Sequence, residues 1–268
     1  MNPSRPSKMA IPMWVWQFLL GASVLALWQW LTTAGMLDKF FFSRPVDIAK
    51  RIWEWILNGS VWPHLATTLS EAVLAFLIGV CAGILLGFLL ARSPFLSSLL
   101  SPYIRIFNAL PRVVLAPIFL LWFGLGIWSK VALGVTVVFF IVFFNTYQGV
   151  RDVDAVQLNN ARMLGASERQ LIRHVLIPSA LSWIFSSLHI SIGFAIIAVV
   201  VGEYLGSSRG VGYLISQAEG VFDTTGVFAG MVVLSSVVLV VGAVVDRLER
   251  YLLRWKLERT DTQGRQLA

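Results

Sequence analysis

Apolar residues along the chain are gathered into six long stretches, which are separated by more polar segments. These stretches are residues 13–36, 69–91, 113–128, 131–147, 180–201 and 227–245. Most of them approach the length of about 20 residues that an α-helix needs to cross the hydrocarbon core of a bilayer. The pattern therefore predicts an all-α membrane protein with six transmembrane helices.

The first apolar stretch carries tryptophans near both of its ends. They are Trp14, Trp16, Trp28 and Trp30. Tryptophan is typical of the interface between the bilayer and water. A cleaved signal peptide would have a shorter apolar region followed by a small-residue cleavage site. We therefore expect residues 13–36 to be retained as a transmembrane helix.

The basic residues indicate how the predicted helices are oriented. If the N-terminus is inside, all but six of the 21 lysines and arginines fall on the inner side, the exceptions being Lys39, Arg44, Lys50, Arg51, Lys130 and Arg209. Because cytoplasmic loops are enriched in positive residues, both termini are expected to be cytoplasmic. The predicted organisation is a cytoplasmic tail (1–12), a first helix (13–36), an extracytoplasmic loop (37–68), a core with five helices (69–246) and a cytoplasmic tail (247–268).

Glycine and proline determine how two of the predicted helices pack. Gly79, Gly83 and Gly87 recur every four residues, which places them on one face of the second helix, where another backbone can approach closely. The third helix contains Pro117, which removes a backbone hydrogen bond and bends the segment. Inside a bilayer, such a bend is tolerated only beside protein or a water-filled cavity. We expect the third helix to be bent and to face a cavity.

Composition excludes several other classes of protein. Apolar residues make up 57% of the chain and charged residues 13%, which is unlike a disordered protein. Cys81 is the single cysteine, so no disulfide scaffold is possible. The net charge of +7 follows membrane topology and does not form the solvated basic face that nucleic-acid binding requires. The spacing of the histidines predicts no metal site, and no catalytic constellation emerges, so we expect a protein that is not an enzyme.

One connection between predicted helices is long, mixed in charge and helical in pattern. It runs from residue 151 to 178, and its apolar residues recur at spacings near three and four around Gly165. The pattern predicts two short amphipathic helices joined at this glycine. Asp154 precedes the first helix, Ser167 and Gln170 form a capping box for the second, and Pro178 is expected to end it. Such a helix pair fits either a partner protein or the membrane surface.

The motif within this connection resembles the EAA loop of permease subunits of ABC importers. It reads Asn159-Asn160-Ala161-Arg162-Met163-Leu164-Gly165-Ala166-Ser167, followed at a fixed distance by Ile177-Pro178. Further similarity lies in Leu121-Trp122-Phe123-Gly124, in Asn145-Thr146 with Gly149-Val150-Arg151, and in Gly202-Glu203 followed by Gly210-Val211-Gly212. Together these motifs resemble the branch that imports nitrate, sulfonates, taurine and related small anions, with the fold of type I ABC importer permeases.

The resemblance implies partners and a mechanism. It implies a homodimer of permeases, two cytoplasmic ATPase subunits that hold ATP and Mg²⁺, and an extracytoplasmic binding protein, in a bacterial inner membrane. This chain would bind no cofactor and no nucleic acid. The residues expected to couple to the ATPases are Asn159, Asn160, Ala161, Arg162, Leu164, Gly165, Ala166 and Pro178. Asn159 and Asn160 depart from the family pattern, where an acidic residue and an alanine are usual.

Four residues are candidates for lining or gating the pathway, namely Pro117, Asn145, Thr146 and Glu203. An ionisable residue at membrane depth is a functional candidate by default, so Glu203 could line the pathway, lock helices together or contact water at the interface. The rival function is an ATP-independent secondary transporter or channel. Inverted repeats or paired charges inside the membrane would favour that rival, and the sequence reveals neither.

Overall fold

The computed structural model describes residues 12–252, which are helical apart from short turns. The helices are α1 (Met13–Thr33), α2 (Lys39–Phe42), α3 (Pro45–Leu57), α4 (Val61–Arg92), α5 (Pro94–Ala109), α6 (Ala116–Phe123), α7 (Ile127–Arg151), α8 (Ala155–Met163), α9 (Glu168–Leu171), α10 (Ile177–Leu205), α11 (Val211–Gly220) and α12 (Thr224–Leu252). Most of the two predicted tails, 1–12 and 247–268, lies outside the described residues. The part of the second tail that is described, 247–252, continues α12.

Five helices in the described region are long and apolar enough to cross a membrane. They are Met13–Thr33, Val61–Arg92, Ile127–Arg151, Glu168–Leu205 and Thr224–Arg247. A sixth span is formed when α5 and the segment Arg112–Phe123 are counted together, although their axes differ by 88°. The prediction of an all-α fold with six spans is thus confirmed, with one span sharply bent.

The predicted extracytoplasmic loop 37–68 was wrong as a description of local structure. It contains α2 and α3, and α4 begins at Val61, eight residues before the predicted start of the second span at Leu69. Counting apolar residues misses these parts because α3 is amphipathic and the first turns of α4 carry polar side chains. Pro63 fits in the first turn of α4, where a helix lacks the backbone hydrogen bond that proline cannot donate.

The third span also differs from its predicted bounds of 113–128. Ser93 caps α5 by accepting the amide hydrogen of Leu96 at 3.3 Å, so the span begins with Pro94 near its inner end. The chain bends at Leu110-Pro111, and α6 stops before Gly124, whose φ of +71° favours glycine. The span is bent as predicted, but the bend lies at Leu110-Pro111 and not at Pro117, which is in the first turn of α6. The predicted start of the span at residue 113 was also wrong, because residues 94–109 are interrupted by serines and an arginine.

The centre of the fold is the contact between α4 and α7. A Cβ added at Gly79 would lie 2.7 Å from Cβ of Val138, and one at Gly83 would lie 2.9 Å from Cβ of Val142. One at Gly87 would lie 2.8 Å from the backbone oxygen of Phe143. These distances are below van der Waals contact, so only glycine permits this close approach. The predicted packing role of the three glycines is confirmed.

Pro178 does not end a helix, which corrects the prediction from sequence. The chain is helical without interruption from Glu168 to Leu205, and Ile172–Leu176 form a π-helical turn just before Ile177. A proline inside a helix removes a hydrogen bond and its ring collides with the carbonyl four residues earlier. The wider π-helical turn makes room for the proline ring. The second helix of the 151–178 connection and the fifth span therefore form one continuous rod, Glu168–Leu205.

Candidate functional site

The connection between α7 and α10 begins with a short capped helix. Asp154 caps α8 because its Oδ1 accepts the amide hydrogen of Val156 at 2.8 Å. At the other end, Gly165 has a φ of +80°, and its amide donates to the carbonyl of Arg162 at 2.9 Å. Ala166 donates to the carbonyl of Ala161 at 3.0 Å. This pairing closes α8 with a left-handed glycine, which is a common way to end a helix.

A capping box starts the second helix of this connection, as the sequence predicts. The amide of Gln170 donates to Oγ of Ser167 at 3.4 Å, and the amide of Ser167 donates to Oε1 of Gln170 at 2.8 Å. Two backbone donors that a helix start leaves without partners are thereby satisfied. The turn between the helices is therefore fixed at both ends by local hydrogen bonds.

The tip of this turn presents apolar side chains to the outside. Met163 is 85% exposed and Leu164 is 88% exposed. Behind them lies a recess of about 330 Å³, lined by Ala161, Leu164, Gly165, Ala166, Gln170, Leu171, His174 and Val175. Large apolar side chains exposed at a rigid turn are typical of a protein contact.

The turn is also held to the body of the protein. Leu171 is buried, and Glu168 forms ion pairs with Arg92 at the end of α4 (3.1 Å) and with Arg162 (3.8 Å). The predicted coupling residues Asn159 and Asn160 lie exposed on α8. Five others, Ala161, Arg162, Leu164, Gly165 and Ala166, lie at the turn, whereas Pro178 lies about three helical turns beyond it along the same helix. All the predicted coupling residues except Pro178 thus share one region of the surface.

The four predicted pathway residues are not brought together. Pro117 is exposed at the start of α6, and Nδ2 of Asn145 donates to the carbonyl of Ile141 in its own helix at 2.8 Å. Thr146 is buried against Gly87, and its hydroxyl has no hydrogen-bond partner among residues 12–252. Glu203 lies beside the opposite end of α7, about four turns or roughly 24 Å from Thr146. They do not form one site.

Glu203 is fully buried, which contradicts the alternative that it contacts water at the interface. Its Oε1 accepts from the hydroxyl of Thr68 at 2.6 Å, and its Oε2 accepts from the amide of Gly212 at 2.7 Å. Thr68 in turn accepts from the amide of Val211 at 2.9 Å. Gly210 has a φ of +112°, and a Cβ there would collide with the Glu203 carboxylate. The carboxylate thus holds the start of α11 against α4 and α10.

Two further ionisable residues lie next to Glu203 and were not predicted as site residues from the sequence. Glu71 and Lys130 are buried, and both interact electrostatically with Glu203. Nζ of Lys130 donates to the carbonyls of Leu125 and Gly126 at 2.6 and 3.0 Å. Lys130 is therefore buried at the start of α7 and does not lie in an outer loop, and acidic and basic side chains do lie near one another among the spans. The signal available in the sequence was the position of each residue within about three turns of a helix end.

Metal chemistry has no support in the part of the chain that the structure describes. No group of three or more histidine, cysteine, aspartate or glutamate side chains lies close enough to hold a metal ion within residues 12–252. His64 is engaged with Gly210, since its Nδ1 lies 3.1 Å from both the backbone nitrogen and the backbone oxygen of that residue. Its ring also stacks on Tyr213 at 5.9 Å.

Several apolar spans around a glycine-packed core define a multi-pass membrane protein, and one rigid turn with exposed apolar side chains lies at its surface. Residues 79–257 match the family model of the binding-protein-dependent transport system inner membrane component. The chain belongs to this family, and it is a permease subunit of an ABC importer. Family membership implies an ATPase and a substrate-binding protein as partners, and it removes the ATP-independent rival.

Curated relatives agree with this assignment over most of the chain. An aliphatic sulfonates transport permease protein of Bacillus subtilis is 35% identical over 243 residues, which cover 91% of this chain and 88% of the relative. A riboflavin transport system permease protein of Chloroflexus aurantiacus is 32% identical and covers 87% of each chain. The taurine transport system permease protein of Escherichia coli is 28% identical, again with 87% of each chain covered.

Solved structures show the same fold at lower sequence identity. A chain of the methionine ABC transporter in an inward-facing conformation matches with a TM-score of 0.58 and 22% identity, covering 74% of this chain and 96% of that chain. A chain of an amino acid ABC transporter matches with a TM-score of 0.60 and 21% identity, covering 76% of this chain and 97% of that chain. Over about three quarters of the chain, the helices are therefore arranged as in these ABC transporter chains.

Proposed function

We propose that this chain is a non-catalytic subunit that forms the pathway for a small anion, an aliphatic sulfonate or taurine, in an ATP-driven importer. Two copies work together with two ATPase subunits, which hold ATP and Mg²⁺, and with an extracytoplasmic binding protein. The names of two relatives, for aliphatic sulfonates and for taurine, support this substrate class. We place the importer in a bacterial inner membrane with both termini in the cytoplasm, because the inner segments carry most of the basic residues.

The observation that carries the proposal is the exposed turn at Leu164. Met163 and Leu164 project from a turn that Gly165, Ser167 and Gln170 make rigid. An ATPase with a complementary apolar groove would bury both side chains, and each such burial contributes about 1.5 to 3 kcal/mol. Small residues on both sides, Ala161 and Ala166, let the groove approach the backbone. We therefore assign ATPase docking to the turn, with Asn159 and Asn160 at its edge and Pro178 further along the rod.

Docking can be tested by changing the turn without changing the spans. Gly165→Asp places a charged side chain at a left-handed position that has open space around it. We expect the variant to insert normally and to lose co-purification with the ATPase. Gly59→Asp is a matched control, because Gly59 has a φ of +76° and open space too, but lies in the turn before α4. Normal recovery of the ATPase with Gly165→Asp would refute the assignment.

Substrate class needs a separate experiment, because the permease can dock an ATPase whatever it imports. The importer with its binding protein should be reconstituted in liposomes, with ATP on the ATPase side. We expect ATP-dependent uptake of taurine and of butanesulfonate. Riboflavin serves as the comparison because a similar relative is named for it. Uptake of riboflavin without uptake of either sulfonate would refute the proposed substrate class while leaving the docking result unchanged.

A further inference from the structure

The bend between α5 and α6 places an arginine beside the middle of a transmembrane helix. The guanidinium carbon of Arg112 lies 5.2 Å from the centre of the Phe140 ring, and its Nη2 donates to Oδ1 of Asn108 at 2.6 Å. Along α7, Phe140 is about 17 Å from Arg151 at the helix end. Because the hydrocarbon core is about 30 Å thick, Arg112 lies near the middle of the bilayer. The prediction from the basic residues had placed it on the inner side.

Arg112 lacks a countercharge within the described residues. No aspartate or glutamate between residues 12 and 252 forms an ion pair with it. Its Nε is shielded from solvent and has no hydrogen-bond partner in that range. A guanidinium at this depth is expensive unless it is paired or faces a water-filled cavity. Its environment therefore favours an anion that approaches from a cavity.

A cavity lies between α5 and α7, closer to their inner ends than Arg112, which does not line it; Phe144 in its wall is one helical turn from Phe140. Its volume is about 400 Å³. It is lined by Leu90, Ser97, Ser98, Ser101, Ile104, Arg105, Phe143, Phe144, Tyr147, Gln148 and Arg151. These lining residues include two arginines, three serines and a tyrosine, and no carboxylate. The cavity is thus positively charged and rich in hydroxyl donors, which suits an oxyanion.

The polar residues of α5 form one continuous stripe that leads to Arg112. Ser97, Ser101, Arg105 and Asn108 are separated by four, four and three residues, so they lie on one face of the helix. The first three line the cavity, and Asn108 holds Arg112. The remaining α5 side chains are mostly apolar and exposed. A polar stripe on an otherwise apolar membrane helix indicates a water-accessible pathway. Here the stripe runs from the inner end of α5 to the middle of the bilayer.

We propose that Arg112 and Arg105 bind the oxyanion group of the transported anion in the inner half of the pathway. The guanidinium of Arg112 meets the anion at mid-depth, and Arg105 with Ser97 and Ser101 receives it in the cavity. An arginine fork suits a sulfonate because it donates two parallel hydrogen bonds to two oxygens. The inference rests on the proposed function for the identity of the anion, and on geometry for the site.

Direct binding tests the site without depending on transport. The permease in complex with its ATPase, without nucleotide and without binding protein, is placed in phosphatidylcholine nanodiscs and titrated calorimetrically with butanesulfonate. We expect Arg112→Gln and Arg105→Gln each to weaken binding by about tenfold or more. Arg112→Lys should lose less, because it keeps the charge. Arg247→Gln is the control, since this exposed arginine on α12 does not line the cavity.

Three results would overturn the inference. One is wild-type affinity for butanesulfonate in both glutamine variants. Another is failure of butanesulfonate to bind the wild-type complex, while native mass spectrometry detects phosphatidylglycerol whose retention depends on Arg112. The third is a combined result: Arg112→Gln loses the permease dimer, whereas Arg105→Gln binds butanesulfonate with wild-type affinity. Arg112 would then pair with a second copy of the chain and not with an anion. Sulfonate uptake by the wild type alongside any of these would leave the proposed function standing.

Discussion

The Glu203 carboxylate accepts the amide hydrogen of Gly212 at 2.7 Å, across the turn that joins α10 to α11. Its second oxygen accepts from the hydroxyl of Thr68 in α4 at 2.6 Å. A single buried side chain thereby connects three helices, and one of its oxygens lies at the N-terminal end of α11. The ionisable side chains of Lys130 and Glu71 are close neighbours in the same region.

Removal of the Glu203 carboxylate should destabilise this junction. Glu203→Ala leaves the Gly212 amide without its acceptor and leaves the Thr68 hydroxyl only the carbonyl of His64 at 3.2 Å, which costs about 2 kcal/mol for buried donors. We expect a clearly lower midpoint of thermal unfolding in detergent. Glu203→Gln keeps an oxygen acceptor and should lose less than Glu203→Ala. Equal midpoints for the alanine variant and the wild type would contradict the structural role of the carboxylate.

The glycine stripe of α4 predicts that a larger side chain destabilises the protein at these positions and not at a glycine with open space around it. Gly83→Leu must push α4 away from α7, because a Cβ at that position already lies 2.9 Å from Cβ of Val142. Overpacking of this kind typically costs about 1 to 3 kcal/mol, so we expect a lower yield of folded protein and a lower unfolding midpoint. Gly21→Leu is the control, as no atom lies within 4 Å of its added Cβ. Similar effects at both positions would disprove the close packing.

The capping box predicts local protection of the α9 amides. Ser167→Ala removes the acceptor for the Gln170 amide and should cost about 1 kcal/mol of local stability, which corresponds to roughly fivefold faster hydrogen exchange. Gln170→Ala should have a similar effect. Because the two side chains act reciprocally, the double variant should exchange little faster than either single one. Additive increases in exchange rate would mean that the two caps are independent.

The proposed orientation can be checked with cysteine labelling. Cys81 is the only cysteine, so Cys81→Ser provides a background without thiols. In that background, Leu164→Cys should react with a membrane-impermeant maleimide only after the cells are opened. Glu54→Cys, at an exposed position of α3, should react in intact cells. The reverse pattern would place the ATPase-docking turn outside and would contradict the orientation drawn from the basic residues.

Features that depend on near neighbours in sequence could be predicted. The four-residue spacing of the α4 glycines, the capping box at Ser167 and the glycine turn at Gly165 each follow from residues within two or three turns of one another. Their geometry is local, or it requires only that some second helix pack against the face. The structure confirms all three.

Features that depend on which helix ends meet could not be predicted in the same way. Lys130 reads as a loop charge because it directly follows a glycine-rich turn, and only the contact between α7 and α10 buries it beside Glu203. Arg112 reads as a surface charge because Pro111 suggests a break at the membrane boundary. The break instead lies at mid-depth, because α5 crosses the inner half of the bilayer despite its serines and Arg105.

The π-helical turn before Pro178 has a mechanical consequence. It makes the helix that follows the exposed turn continuous with the span that ends next to Glu203, over a length of roughly 53 Å from Glu168 to Glu203. An ATPase that moves the turn therefore acts on one end of a lever, and the buried Glu203 junction is at its other end. Movement of the turn and opening on the far side of the membrane can therefore be coupled by this single helix, without an additional element between them.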